Sequence, residues 1–523
     1  MAFFNISGNL GQLSLGANDQ LYLAPTGSII SAGAPILMGS NASFNVDVAI
    51  DGRVIGTTPS AVILLNGTNA AGSVTGVGSY QVSIGATGVV RSITAGLGIL
   101  TVGTQNTVVN NGLVDTIGTG IVNNGSGYTL LNTGTVTSRA NGISVVGGTS
   151  IVTNTGSIGS VLDAAIDMFG NSNTLRNSGT LSGNIGINVD GDSTTVINSG
   201  QIIAAFGVTL DGADNIFTNT VGGSVAATIG LLLDGAGIAT RVTNAGSLMG
   251  AVVGIIAASA STQITNHGVI EGAHGSAIQA TDTAISVSIV NTGTIRGNGL
   301  IAGGIIAIEG NIGVETITNT GVMIGGLTLA AGADVVTNTG IIRGNVDMGA
   351  GADRVTALEG RIFGSILGGA GNDTVVGGAQ ADTVLGGVDN DLLLGGAGDD
   401  DLQGGAGLDR IIGGLGNDRI TAGAGADVLS GGLGADVFVF TSKATVGIGV
   451  GRDQITDFAH GVDDLNMVFM NSFIGSAAFT AAGQVRYVQA TGVLSGNTDT
   501  DVSAEWTLLL VNKPVITASD FVF

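Results

Sequence analysis

The chain has 523 residues, 38 of them acidic and 15 basic, no cysteine and a formal net charge of −23. The missing cysteines exclude a disulfide framework and a cysteine-ligated zinc site, and the acidity argues against nucleic acid as a partner. Apolar residues make up 44% of the chain, which is enough to build a core and argues against disorder. No apolar run approaches the roughly 18 residues of a membrane span.

The first 50 residues carry the least regular pattern. The opening MAFFNISGNLGQLSLGANDQ lacks the positive and apolar regions of a Sec signal peptide, so none is predicted. We expect residues 1–50 to form an N-terminal cap or adaptor that serves assembly or attachment, with the solenoid beginning near residues 25–50.

Residues 51–367 are dominated by one repeated phrase, as in YTLLNTG and SIVTNTG. Its asparagine returns about every 22 residues, and each period holds two short β-branched strands, glycine-rich turns and a third strand of two or three residues. Glycine is too frequent for helices. The pattern predicts an all-β fold built on a right-handed parallel β-helix. The repeated asparagines are Asn110, Asn132, Asn154, Asn177, Asn198, Asn219, Asn244, Asn266, Asn291, Asn319 and Asn338.

Two roles are open for these asparagines. Each could serve only its own corner, where asparagine and glycine tolerate a left-handed backbone. Alternatively, stacked coils could bring the amides together into a hydrogen-bonded ladder. The regular spacing favours the ladder, and neither role is catalytic.

From residue 368 to residue 439 the period shortens to nine, in copies such as GGAGNDTVV and GGLGNDRIT. One aspartate per copy keeps a single register: Asp373, Asp382, Asp391, Asp400, Asp409, Asp418, Asp427 and Asp436. These copies resemble the G-G-x-G-x-D-x-U-x nonapeptide of the RTX family, whose members bind calcium in a β-roll.

Two copies make one coil, so aspartates 18 residues apart are predicted to stack in two columns. Such columns repel without metal, whereas calcium accepts six to eight oxygens from carboxylates and exposed carbonyls. We therefore expect several Ca²⁺ ions and folding that depends on them. Gln380 and Asp389 replace a turn glycine and Ala422 a first glycine, which predicts altered sites there. The predicted metal-binding glycines are Gly369, Gly371, Gly396, Gly398, Gly405, Gly407, Gly414 and Gly416.

Two nonapeptide-like stretches precede the array, LAAGADVVT and MGAGADRVT. They sit at the longer solenoid spacing. We interpret them as coils that lead from the β-helix into the calcium roll, with Asp334 and Asp353 as additional candidate ligands.

Residues 440–523 resemble the C-terminal domain of serralysin-type RTX proteins. The resemblance implies a β-rich domain read by a type I secretion machinery, and hence an extracellular protein. Serralysins are zinc proteases, but their H-E-x-x-H-x-x-G-x-x-H motif is absent here, and His267, His274 and His460 are the only histidines. Protease activity is therefore not predicted.

The composition and the calcium module resemble the S-layer proteins of Gram-negative bacteria. We predict a secreted, calcium-dependent structural protein of the cell surface or matrix that self-assembles into an S-layer or filament, with itself and the secretion machinery as partners. The alternatives are an adhesin that binds a ligand such as cell-surface polysaccharide along the β-helix, or a polysaccharide lyase or epimerase. No catalytic constellation stands out, so we predict that the protein is not an enzyme.

Overall fold

The fold is described from a computed structural model that covers residues 3–6, 9–10, 19–31, 46–57, 62–66, 80–234, 239–258, 261–281, 286–301 and 304–523. By its internal contacts the chain divides into unit 1, Met1–Asp282, and unit 2, Thr283–Phe523. This division follows contacts, whereas the four segments predicted from the sequence follow motifs and stay a prediction.

Unit 1 consists of short strands joined by turns. Its strands are β1 Phe3–Ile6, β2 Asn9–Leu10, β3 Gln20–Leu23, β4 Ser28–Ser31, β5 Val46–Ile50, β6 Arg53–Gly56, β7 Ile63–Asn66, β8 Tyr80–Ile84, β9 Val89–Ser92, β10 Ile99–Val102, β11 Thr107–Asn110, β12 Leu113–Thr116, β13 Ile121–Asn124, β14 Thr129–Asn132, β15 Thr135–Ser138, β16 Ile143–Val146, β17 Ile151–Asn154, β18 Ser157–Ser160, β19 Ala164–Phe169, β20 Thr174–Asn177, β21 Thr180–Asp190, β22 Thr195–Asn198, β23 Gln201–Asp211, β24 Ile216–Asn219, β25 Ser224–Leu233, β26 Thr240–Asn244, β27 Ser247–Ala257, β28 Ser261–Asn266, β29 Val269–Gly272 and β30 Ile278–Ala280.

These strands stack as a parallel β-solenoid. One coil runs through β11, β12 and β13, and each of the three pairs in parallel with the equivalent strand of the next coil, β14, β15 and β16. In the four coils that hold β21, β23, β25 and β27 the second and third strands merge into single strands of 10 or 11 residues. The three-strand coil predicted from the sequence is confirmed.

The solenoid begins earlier than predicted. Strand β1 already pairs in parallel with β3, and β2 with β4. Parallel pairing is therefore already present in the described part of residues 1–31, ahead of the predicted start near residues 25–50. About half of the predicted cap at residues 1–50 lies outside the described residues, and the cap stays a prediction.

The core of unit 1 lies between the strands of each coil. Side chains alternate along a strand, so the inward positions of β14 and β17 place Leu130 and Val152 at zero exposure. Branched aliphatic side chains fill most of these inward positions and suit a thin interior. Burying one such side chain contributes about 1.5–3 kcal/mol.

The repeated asparagines form the ladder expected from the sequence. Asn110 Nδ2 donates to Asn132 Oδ1 over 2.7 Å, and Asn132 in turn donates to Asn154 over 2.7 Å. The same bond recurs from Asn154 to Asn266, and in unit 2 from Asn291 to Asn338. Every ladder asparagine is buried. The ladder therefore satisfies its own amides inside the solenoid.

Unit 2 starts with similar coils and ends in a mixed segment. Its strands are β31 Ser286–Asn291, β32 Thr294–Gly297, β33 Leu300–Ile301, β34 Gly304–Glu309, β35 Glu315–Asn319, β36 Val322–Ile324, β37 Gly326–Thr328, β38 Val335–Asn338, β39 Ile341–Arg343, β40 Val346–Asp347, β41 Arg354–Thr356, β42 Arg361–Ile362, β43 Ser365–Ala370, β44 Thr374–Val376, β45 Thr383–Val388, β46 Leu392–Ala397, β47 Asp401–Gly407, β48 Arg410–Leu415, β49 Arg419–Gly425, β50 Val428–Leu433, β51 Val437–Phe440, β52 Gln454–Ile455, β53 Asp464–Met467, β54 Ser472–Phe473, β55 Gln484–Val488, β56 Val493–Asn497, β57 Trp506–Leu510 and β58 Phe521–Val522.

In the nonapeptide region each coil is made of two copies, as predicted, because β46 pairs with β48 and β47 with β49. Strand β46 has six residues and β47 seven, because these strands run on into the glycines of the following copy, and second glycines also pair across coils, for example Gly387 with Gly405.

The C-terminal segment continues both sheets of the calcium region. Strand β52 pairs with β50, and β53 with β51, before β55, β56 and β57 form an antiparallel meander. Three short 3₁₀ helices, Lys443–Thr445, Gly449–Gly451 and Ala518–Asp520, complete it. Nowhere in the described residues is there a helix long and apolar enough to cross a membrane.

Candidate calcium-binding array

The turns of the nonapeptide region have a repeating backbone conformation. Their second and fourth residues take positive φ in most copies, including all eight glycines predicted from the sequence as metal-binding. At Asp389 this conformation, with φ of 76°, falls on a residue with a side chain. Most side chains rarely adopt it, which explains why glycine fills most of these positions.

The aspartates at odd copies form one continuous column, here called column A. In each step a backbone N–H donates to the carboxylate of the next coil, with Asp391 N to Asp409 Oδ1 at 2.9 Å as the example. The column extends beyond the repeats in both directions. Its members are Glu315, Asp334, Asp353, Asp373, Asp391, Asp409, Asp427 and Asp453.

The even copies form column B on the opposite turns. Asp400 N donates to Asp418 Oδ1 over 2.9 Å, and the other steps repeat this bond. The members are Asp382, Asp400, Asp418, Asp436 and Asp463. The two columns predicted from the spacing are therefore present, and the structure adds residues to both.

These carboxylates are almost entirely removed from solvent. Asp409 is 2% exposed and Asp427 is at zero exposure. In ten of the column aspartates one oxygen accepts the backbone bond, but the other has no hydrogen-bond partner among the described residues. This holds for Oδ2 of Asp334, Asp353, Asp373, Asp391, Asp400, Asp409, Asp418, Asp427, Asp436 and Asp453, and for both carboxylate oxygens of Glu315.

Burial makes the ionised form of these groups costly. Burial is the largest cause, and it raises the pKa of Asp391 and Asp400 to about 7. Neighbouring carboxylates also raise the pKa of both groups, whereas the backbone N–H donors lower it. Burial likewise raises the pKa of Asp453 to about 8. Groups in this state need either a proton or a cation.

The unpartnered oxygen lies beside the first glycine of its copy. A Cβ on Gly395 would come within 2.2 Å of Asp400 Oδ2, and one on Gly386 within 2.4 Å of Asp391 Oδ2. These first glycines were not among the residues predicted from the sequence. Their role is steric, because any side chain there would occupy the space beside the free oxygen.

The departing copies differ locally. In the copy with Gln380, Gly378 N donates to Asp382 Oδ2 over 2.7 Å, so this Oδ2 has a protein partner, unlike Oδ2 of Asp400 in the next coil of column B. Ala422 is buried without disturbing the column step from Asp409 to Asp427. The altered site near Gln380 and ion binding at each predicted residue stay predictions.

Sequence reasoning missed three column members, Glu315, Asp453 and Asp463. Asp453 and Asp463 carry a usable signal, since D-Q-I and D-D-L repeat the array's aspartate–x–apolar triplet. They lie 26 and 27 residues after their column neighbours instead of 18. The strict nine-residue period therefore hid them.

The C-terminal meander brings a further acidic group together. Carboxylate oxygens of Asp499, Asp501 and Glu505 lie within 4.8 Å of one another. Asp499 and Asp501 are exposed. A separate contact joins His460 Nδ1 to a carboxylate oxygen of Asp520 at 2.9 Å. His460 is therefore paired with an acidic residue of the protein itself.

The donor set of the columns fits calcium. The available groups are carboxylate oxygens and the turn carbonyls, and hard divalent cations prefer oxygen ligands. A cation placed between successive turns would compensate the unpartnered oxygens that protein atoms leave free. Calcium accepts irregular, high-coordination oxygen sets more readily than magnesium does.

Comparison with known proteins agrees with this reading of the array. A family model of the RTX calcium-binding nonapeptide repeat, in four copies, matches residues 367–402 and residues 403–438. No curated protein matched the chain.

Among solved structures, the AlgE6R3 subunit of the Azotobacter vinelandii mannuronan C5-epimerase is similar at 23% identity. The match covers 29% of this chain and 78% of that one, with a TM-score of 0.19, which is too low to carry an argument. The family match shows that residues 367–438 of this chain are RTX calcium-binding nonapeptide repeats, and the geometry of their carboxylates fits that ion.

Proposed function

We propose that this protein is an extracellular structural protein that folds in calcium and assembles with copies of itself into a surface layer or filament. The observation that carries the proposal is the pair of columns of buried carboxylates, most with an oxygen that no described protein atom satisfies. Such an array is costly in a calcium-poor cytosol and stable in millimolar extracellular calcium, because ion binding adds directly to folding.

Assembly is supported by apolar side chains on the surface of the array. Leu415 and Leu433 are partners on the neighbouring strands β48 and β50 and are 53% and 71% exposed. Leu408 is 61% exposed in the same region. A second copy of the chain could bury this row, and repeated units associate readily through repeated surfaces.

Electron microscopy and sedimentation of the full chain test assembly. With calcium we expect ordered sheets or fibres, and after chelation dispersed protein. The double variant Leu415→Asp/Leu433→Asp should bind calcium and assemble poorly. A matched control, Val502→Asp/Val515→Asp, changes exposed valines outside the array. Monomeric wild-type protein in calcium would contradict the assembly part of the proposal.

Export by a type I machinery that reads residues 440–523 is part of the proposal. Deleting this segment should keep the protein inside the cell, but it also removes Asp453 and Asp463 from the columns. The variant Asp453→Asn/Asp463→Asn separates the two effects, since it keeps the segment. Normal export of the deletion variant would contradict the secretion role.

A second candidate function, an adhesin for acidic polysaccharide, is favoured by one surface feature. The guanidinium carbons of Arg343 and Arg361 lie 4.7 and 4.0 Å from the ring centroid of Phe363, which is 46% exposed. Stacked cations and an aromatic face suit sugar acids. Replacing both arginines by glutamine should weaken retention on immobilised polyuronate. The expectation that the protein is not an enzyme stays a prediction.

A further inference from the structure

Column A does not stop where the RTX repeats stop. The family match begins at residue 367, whereas the hydrogen-bonded column begins at Glu315 and passes through Asp334 and Asp353 before it reaches Asp373. The three backbone bonds are 2.7, 2.7 and 2.9 Å long. The coil period is 19 or 20 residues here and 18 within the repeats.

The turns before these aspartates have the backbone of the calcium repeats. Residues four and two before Asp334 are Ala330 and Gly332, with φ of 66° and 153°. The equivalent values before Asp353 are 90° and 158°. The turns also stack in one register, because Ala350 bridges both Ala331 and Ala370.

The upstream carboxylates share the free oxygen of the repeats. Glu315, Asp334 and Asp353 are 1%, 0% and 3% exposed. Oδ2 of both aspartates and both oxygens of Glu315 have no hydrogen-bond partner in the described part of the chain. A fully buried carboxylate oxygen without a donor is among the costliest groups that a protein interior can hold.

The neutral coils of unit 1 show what is missing. Asn106 and Asn173 precede their strands just as Asp334 and Asp353 do, and their Oδ1 accepts the same backbone bond. Their Nδ2 donates to a turn carbonyl three residues earlier, of Gly103 and Gly170, over 3.2 and 2.7 Å. Aspartate has an oxygen where asparagine has this donor NH₂ group. In the aspartate turns a carboxylate oxygen and carbonyl oxygens therefore lie together without a hydrogen-bond donor.

We propose that the calcium array continues upstream of the RTX repeats, with divalent ions held by Glu315, Asp334 and Asp353 together with carbonyl oxygens of their turns. The ions take the place of the amide hydrogens of the asparagine coils. This inference rests on the proposed calcium-dependent function and extends it to coils that lie outside the residues matched by the RTX family model. Glu315 closes the column, because the residue in register with it on β31 is Val287.

The test compares two double variants of the full chain. Glu315→Gln/Asp334→Asn removes two column carboxylates while keeping their size and the Oδ1 acceptor of residue 334. Asp347→Asn/Glu359→Gln removes the same charge from nearby side chains that are half-buried and exposed. Native mass spectrometry counts the bound calcium ions, and hydrogen exchange follows residues 310–357 with and without calcium.

We expect the column variant to bind at least one calcium ion fewer than wild type, and the control variant to match wild type. In wild type, exchange protection of residues 329–334 should fall on chelation at pH 8. Equal numbers of bound calcium ions in the two variants would overturn this inference and leave the proposed function standing. The same holds if residues 329–334 of wild type keep their exchange protection at pH 8 after calcium is chelated. If wild type bound no calcium at all, the proposed function would fail with it.

Discussion

The asparagine ladder of unit 1 and the carboxylate columns of unit 2 each stack one side chain per coil, but at different places: Asn154 ends strand β17, whereas Asp409 directly precedes strand β48. The two kinds of side chain differ by one group. An asparagine amide both accepts and donates, so Asn132 accepts from Asn110 and donates to Asn154. A carboxylate only accepts, so Asp409 receives its backbone bond and keeps one oxygen unpartnered. One ladder is complete in protein atoms, and the other requires an added cation.

The two regions should differ most when calcium is removed. Chelation should unfold residues 368–439, because their carboxylates repel without ions. The coils of residues 107–219 should keep their protection. Hydrogen exchange with and without EGTA measures both regions in one sample. Retained protection of the aspartate coils would show that calcium is dispensable.

Protons should partly replace calcium in the aspartate coils. Burial raises the pKa of Asp391 and Asp400 to about 7 and of Asp453 to about 8, above the ordinary value near 4. Folding therefore takes up protons, so the calcium-free array should gain stability as pH falls from about 8 toward 4. Circular dichroism at pH 5 and pH 8 in EGTA checks this, and calcium affinity should fall over the same interval. A calcium-free array equally disordered at both values would count against the burial argument.

A carboxylate introduced into the asparagine ladder tests the same comparison in unit 1. Asn154→Asp places two oxygens face to face at a buried position that now donates to Asn177 over 2.7 Å. A buried, uncompensated charge costs about 3–5 kcal/mol, which thermal or denaturant unfolding would detect.

The control for that variant is an exposed asparagine, Asn111, which follows the ladder residue Asn110 in the chain. Asn111→Asp keeps the acceptor for the Thr133 hydroxyl at 2.7 Å and should change stability little. Equal losses in both variants would mean that the ladder contributes nothing specific.

The first glycine of a repeat offers a steric test of ion binding. Gly395→Ala would press a methyl group to within 2.2 Å of Asp400 Oδ2 and should lower the affinity of the adjacent site roughly tenfold or more. Gly451→Ala, with nothing within 4 Å of the added carbon, is the control. Calorimetric titration with calcium compares the affinities of the two variants. An unchanged affinity in Gly395→Ala would show that Asp400 Oδ2 is not a calcium ligand.

The smallest effect is expected at the irregular turn of Asp389. Glycine at this φ of 76° removes backbone strain, and one acidic side chain with it, so Asp389→Gly should stabilise the calcium-bound array by about 1 kcal/mol or less. The melting temperature in saturating calcium measures this. A clear destabilisation would instead make the Asp389 carboxylate a participant in ion binding.

Much of the fold could be predicted because the coils repeat. The spacing of the asparagines and the nine-residue aspartate period specify which residues stack, and the ladder and both columns follow that register. Strand lengths could not be predicted, since pairing of the glycine segments depends on neighbouring coils. Asp453 and Asp463 escaped because longer loops carry them into columns whose period they do not share. Glu315 shares the local spacing of 19 residues, but it is a glutamate at the position where the later coils have aspartate.

The closing residues of the columns determine when the array can be completed. Asp453 and Asp463 come from the segment after the last repeat, and Asp457 accepts from Gly431 N and the Ser430 hydroxyl beside them. If residues 440–523 meet calcium before the repeats do, Asp453 and Asp463 are available first, and the coils of the array can fold onto them one after another. If the repeats meet calcium first, both columns lack their last carboxylate until Asp453 and Asp463 follow.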